Sequence, residues 1–141
     1  MVKSILFACN LNSVRSPMAA AMLRAAAGKR LRIDSAGVYE GGIDPFIETV
    51  LKELKVSLSG HEPKAMNALD LSTFDLVIAL TPEAAAEARR YLPREKIEFW
   101  DIENPSDTRG RKEEMLHAYR EVRDDLRRRL GARFREIYEN P

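Results

Sequence analysis

Cys9 is the only cysteine of the 141-residue chain, and Arg15, Ser16 and Pro17 follow it across a five-residue gap. The apolar run Ile5, Leu6, Phe7, Ala8 leads into the thiol, and an alanine-rich helical stretch begins beyond Pro17. That pattern reads as strand, loop and helix, with a thiol at the strand end and a guanidinium at the helix start. A loop closing on a helix N-terminus turns backbone N–H groups inward, and the helix dipole favours an anion among them. The same field favours the thiolate of a cysteine at the rim, which is its nucleophilic form. Arg15 adds planar donors able to grip two oxygens of one phosphate. A thiolate beneath a phosphate, with amides around its oxygens, is equipped for covalent phosphoryl transfer. The plainer alternative is that Cys9 is a small buried hydrophobe at a strand end.

The elements that must hold these residues follow from periodicity and punctuation. A strand is expected over residues 2–8, then a helix over 18–27 with Pro17 in its first turn and Gly28 ending it. Residues 31–35 alternate as a second strand. Pro45 opens a helix carrying Phe46, Val50, Leu51 and Leu54 on one side. Residues 74–80 are apolar on both faces, as a central parallel strand should be. Thr81 is an expected N-cap, with Pro82 at the first helical position and Glu83 in the first turn of a helix to about residue 91. Residues 97–100 form a fourth strand. A last helix spans about 112–138, with Met115, Tyr119, Val122, Leu126, Leu130, Phe134 and Ile137 as its apolar stripe. Strands separated by helices make this an α/β chain with a parallel sheet, and ligands in such sheets bind beyond the strand carboxyl ends, where Cys9 falls.

Composition narrows the function classes. A chain of 141 residues fits one domain, 1–141, with a single core. A net charge of +1 argues against a dedicated nucleic-acid or membrane-surface binder, and the arginines of the last helix alternate with acids as a solvated face would. One cysteine forms no internal disulfide, which suits a reducing, cytoplasmic setting. No apolar run reaches the roughly 20 residues of a membrane span, and the N-terminus lacks a signal peptide. No metal and no cofactor are expected, and a monomer is favoured.

The stretch Cys9 to Pro17, with Asn12 inside it, resembles the phosphate loop of the low-molecular-weight protein tyrosine phosphatases. That loop reads Cys-x-Gly-Asn-x-Cys-Arg-Ser-Pro, and five of its seven specified positions match. Leu11 stands where glycine is usual, and Val14 where a second cysteine is usual. The resemblance continues through Asp34-Ser35-Ala36-Gly37, Pro45, Gly60-His61 and the strand at 74–80. It implies a three-layer α/β/α domain with a four-stranded parallel sheet in the order 2-1-3-4 and a phosphate-binding loop after strand 1. It also implies roles. Cys9 attacks phosphorus; Arg15 and the amides of Asn10, Leu11, Asn12, Ser13, Val14 and Arg15 hold the phosphoryl oxygens; Ser16 supports the thiolate as a leaving group. Asn12 holds the loop's shape, His61 supports the architecture nearby, Ser35 lies near the loop and Tyr39 walls the pocket mouth. If position 11 requires positive φ, Leu11 is strained there.

One position departs from the pattern in a way that bears on chemistry. The family places its general acid in an Asp-Pro pair after the fourth strand, and here that pair is Asn104-Pro105, followed by Ser106 rather than an aromatic residue. An amide neither supplies nor accepts the proton. Asp101, Glu103 and Asp107 on the same loop are candidate replacements. Without one, a factor of about 100 to 10,000 in rate is at stake, and only esters with good leaving groups turn over well. The expected substrate is a phosphorylated protein or small phosphomonoester, of the phosphotyrosine type. Two other readings stand beside it: a phosphate-binding module with weak or no hydrolysis, and an arsenate reductase using an external thiol such as glutathione, because the thioredoxin-coupled form needs further cysteines.

Overall fold

The computed structural model describes residues 1–58 and 60–140. Strands β1 (Ser4–Cys9), β2 (Arg32–Gly37), β3 (Leu76–Ala79) and β4 (Ile97–Phe99) form one four-stranded parallel sheet in the order β2-β1-β3-β4. Helices α1 (Arg15–Ala27), α2 (Pro45–Lys52), α4 (Lys112–Arg133) and α5 (Arg135–Glu139) cover one face. Helix α3 (Pro82–Arg89) and the 3₁₀ turns at Met66–Ala68 and Leu71–Thr73 cover the other. The fold is the α/β arrangement the sequence implies.

β1 is central, and all six of its residues are buried. Side chains alternate across a strand, so the two faces sort by parity. Leu6 and Ala8 join Val77, Ala79 and the alanines of α3 on one side. Ile5, Phe7 and Cys9 face the other, against α1. The period of two therefore aims the thiol at α1, whose first residues come back to meet it. α1 is buried continuously from Ser16 to Leu23, and its alanines let it sit close against the sheet and the helices beside it.

The caps behave as their residue types require. Asp44 accepts from the Phe46 amide ahead of Pro45, and Thr81 accepts from the Ala84 amide ahead of Pro82. Three expectations need correction. β3 starts at Leu76 rather than 74, because the Phe74 amide turns back to the Leu71 carbonyl. The final helix is two helices: Phe134 leaves helical geometry (φ −115°, ψ 47°) so that its ring stays in the core. Its buried stripe runs through Leu116 rather than Met115.

The arginines of α4 are also not all solvated. Arg123 is buried and donates to the Val50 carbonyl (2.8 Å) and to Glu53 (2.7 Å). With Arg120 alongside, these hydrogen bonds hold the Glu53 carboxyl down at about 2, and α2 is clamped to α4. Among the described residues no helix is long and apolar enough to cross a membrane.

Candidate active site

Residues 9–15 wind from the end of β1 into the start of α1. Val14 sits at the N-cap position without a side-chain cap, and the first turn of α1 holds no acidic residue. The helix N-terminus thus keeps amide donors that no side chain of its own cap or first turn satisfies. Arg15 and Ser16 are its first two residues, and Pro17, lacking an N–H, sits where no intrahelical donor is needed.

Five of the loop's carbonyls are engaged by neighbouring groups. Cys9 O accepts from the Val38 amide (2.9 Å), Asn10 O from Tyr39 (2.9 Å) and Leu11 O from Gly41 (2.8 Å). Asn12 O takes the Nε2 proton of His61 (2.9 Å), and Val14 O takes the Met18 amide (3.1 Å). With these five carbonyls committed, the loop's amides are the backbone groups it has to offer an anion.

Asn12 is the hub of this geometry. It is fully buried and has φ of 55°, the left-handed region that asparagine tolerates better than most residues. Its Nδ2 donates to Ser16 Oγ (2.9 Å) and Ser35 Oγ (3.0 Å), and its Oδ1 accepts from the Lys64 amide (3.0 Å). The strained position is therefore 12. Leu11 does not have positive φ, so leucine there carries no such strain. Burial holds the His61 imidazole below its usual value, with Lys64 and Arg24 adding to the effect and Asp34 opposing it.

Cys9 Sγ lies 2.9 Å from Ser16 Oγ, and both residues are buried. Ser16 Oγ is also 3.3 Å from the Ala36 carbonyl. Its single proton has two possible acceptors, and a thiolate, being charged, is the stronger. Arg15 donates to the Ile102 carbonyl (3.0 Å), which ties the guanidinium to the loop after β4. Asn10 Oδ1 accepts from Thr81 Oγ1 (2.7 Å), which ties the phosphate loop to the start of α3.

A cleft of about 300 Å³ opens over Cys9. Asn10, Leu11, Ser13, Val14 and Arg15 line it from the loop, Val38 and Tyr39 from the segment after β2, and Asn104 and Ser106 from the segment after β4. Glu83 of α3 completes the lining. Asp101, Glu103 and Asp107 are exposed residues of the same segment as Asn104 but do not line this cleft; Glu103 faces a second one, beside Glu113 and His117 of α4. Asn104 Oδ1 is itself engaged by the Ser106 amide (3.1 Å) and hydroxyl (2.7 Å).

Small residues at 35–37 let a loop approach the site, and Gly37 and Gly41 show how closely. A Cβ on Gly37 would come within 2.5 Å of Tyr39 O and 2.7 Å of Asn10 O and Asn12 N. One on Gly41 would meet Leu11 and Ser13 at 2.6 Å. Both glycines let the 37–41 segment lie directly on the phosphate loop.

The family model for low molecular weight phosphotyrosine protein phosphatase matches residues 4–140. The chain belongs to that family. Low molecular weight phosphatase relatives include proteins named arsenate reductase. One, from Bacillus licheniformis, is 31% identical over 137 residues, covering 97% of this chain and 98% of its own. Another, from Bacillus subtilis, is 30% identical over 128 residues, covering 91% and 92%. In three dimensions the chain resembles an Erwinia amylovora tyrosine phosphatase, with a TM-score of 0.77 at 24% identity over 99% of this chain and 93% of that one. At that identity the likeness concerns the fold.

Proposed function

We propose that this family member hydrolyses phosphomonoesters through a phosphocysteine at Cys9. The observation that carries the proposal is the buried Cys9 thiol, hydrogen-bonded to Ser16 at a helix N-terminus that no side chain caps. In the first step the thiolate attacks phosphorus, the P–S bond forms, and the P–O bond to the leaving group breaks. The loop amides and Arg15 hold the three remaining oxygens as charge builds on them. In the second step water attacks phosphorus, the P–S bond breaks, and inorganic phosphate and the thiolate are released. The Ser16 hydroxyl stabilises that departing sulfur. Leu11 and Tyr39, which are 49% and 68% exposed, give the mouth apolar surface for an aryl leaving group such as phosphotyrosine. A lone thiol with no disulfide partner suits a reducing compartment.

The names of the Bacillus relatives favour a second reading, arsenate reduction. Arsenate has the shape and charge of phosphate and fits the same loop. Its reduction to arsenite takes two electrons. Here Cys9 and one external thiol would supply them, ending as a mixed disulfide that a second external thiol resolves.

The test is hydrolysis of p-nitrophenyl phosphate by wild type and Cys9→Ser, alongside arsenite formation from arsenate with glutathione present. The hydrolase reading expects wild type to release p-nitrophenol and to trap phosphate on Cys9 after rapid quench, with Cys9→Ser doing neither. Arsenite formation without ester cleavage replaces it with the reductase. Phosphate binding with neither activity leaves a binding module.

A further inference from the structure

A phosphocysteine cycle moves one proton out and one proton back, and this cleft lacks the aspartate that family members use for it. Asn104 stands at that position, and its carbonyl oxygen is already occupied by Ser106. Among the described residues that line the cleft, Glu83 is the one carboxylate. Tyr39 also reaches the lining, but it brings a phenol rather than a carboxylate.

Glu83 reaches the cleft from a different element than Asn104. It stands on the first turn of α3, and that turn is registered against the phosphate loop by one buried side chain. Thr81 is only 2% exposed, accepts from the Ala84 amide (3.0 Å) and donates to Asn10 Oδ1 (2.7 Å). The same hydroxyl therefore caps α3 and fixes it to the loop that holds the phosphate. β3 and β1 are paired just beneath, with Ala8 beside Ala79. A carboxylate delivered this way sits on a rigid element rather than on the 101–107 segment.

Resting on the hydrolase reading, we propose that Glu83 is the proton carrier of this enzyme. As the P–O bond breaks, the Glu83 carboxyl group gives its proton to the leaving oxygen and becomes a carboxylate. In the second step that carboxylate takes a proton from water while the water oxygen bonds to phosphorus and the P–S bond breaks. The carboxyl group is restored, and the sum is ester plus water giving alcohol plus phosphate. The site of proton transfer has moved from the segment after β4 to the start of α3.

The experiment compares phenyl phosphate, whose leaving group needs the proton, with p-nitrophenyl phosphate, whose leaving group does not. Wild type, Glu83→Gln, Asn104→Asp and the double variant are measured, with rapid-mixing traces for p-nitrophenol. Glu83→Gln is expected to lower phenyl phosphate turnover by about 100-fold or more. On p-nitrophenyl phosphate it should keep a rapid first release of p-nitrophenol and slow only the turnover that follows. Adding Asn104→Asp to Glu83→Gln should restore phenyl phosphate turnover, because it supplies a carboxylate from another lining position of the same cleft. A merely structural Glu83 would not be rescued in this way. Equal rates for wild type and Glu83→Gln on both esters overturn the proposal while the hydrolase reading stands. So does a loss confined to Asp101→Asn, Glu103→Gln or Asp107→Asn. If wild type cleaves neither ester, the hydrolase reading and the Glu83 role fall together.

Discussion

Replacing Asn12 with alanine removes the hub of the phosphate loop, and the size of the effect follows from its contacts. Three side-chain hydrogen bonds disappear: those to Ser16 and Ser35, and the one accepted from the Lys64 amide. At about 0.5–1.5 kcal/mol net for each, their loss costs roughly 1.5–4.5 kcal/mol. Alanine must also adopt φ near 55°, which adds about 1–2 kcal/mol. A total near 4 kcal/mol is a large share of the 5–15 kcal/mol typical of a domain. Asn12→Gly loses the same hydrogen bonds but adopts that φ freely, so it should be about 1 kcal/mol more stable than Asn12→Ala even after its greater unfolded-state freedom is counted. Urea unfolding followed by the fluorescence of Trp100, the only tryptophan and a neighbour of Phe7, measures all three proteins. A loss under 1 kcal/mol in Asn12→Ala refutes the hub. Alanine more stable than glycine refutes the backbone part of the reasoning.

His61 gives a pH-dependent counterpart. Its folded-state value lies below the usual 6.5 because it is half-buried, so its contribution is fully present above pH 6.5 and lost as pH falls through the folded value. The gap in urea midpoint between wild type and His61→Gln should narrow from pH 7.5 to pH 5; a constant gap contradicts the assignment. Gly37→Ala forces a Cβ against three backbone atoms of the site, so competitive inhibition by inorganic phosphate should weaken at least tenfold. Unchanged inhibition would mean the 37–41 segment yields without disturbing the loop.

What the sequence made legible was chiefly local. Proline announced the starts of α2 and α3, with Thr81 as the expected cap of α3, because a short acceptor side chain followed by a residue without an N–H suits little else; the Asp44 cap of α2 is visible only in the structure. The Cys9 to Arg15 spacing announced a strand–loop–helix turn because both ends of it were written in adjacent elements. What escaped reading depends on approach through space. That Asn12 rather than Leu11 takes positive φ is decided by where Ser16, Ser35 and Lys64 lie, and Lys64 is 52 residues away. The small residues at 35–37 suggest a close approach, but which atoms exclude a side chain at Gly37 is set by neighbours pressed on it in space. Glu83 read as a helix first-turn acid, which it is; its place in the cleft comes from β3 lying beside β1, a fact of topology. The break at Phe134 was hidden because its ring continues the helical period in sequence while the backbone departs from it.

The carbonyls of the phosphate loop are held by Val38, Tyr39, Gly41, His61 and Met18, none of which depends on an anion being bound. The loop's curvature is thus maintained by the surrounding protein, and an arriving oxyanion has little backbone left to order. Affinity for phosphate-like inhibitors should then come with a small entropic penalty, and modest changes in inhibitor charge or oxygen geometry should appear almost undiluted in binding strength. For inhibitor design the practical consequence of the proposed function is a receptor that discriminates among oxyanions by rigidity, and whose selectivity over other proteins must be sought at the rim around Leu11, Tyr39 and Glu83.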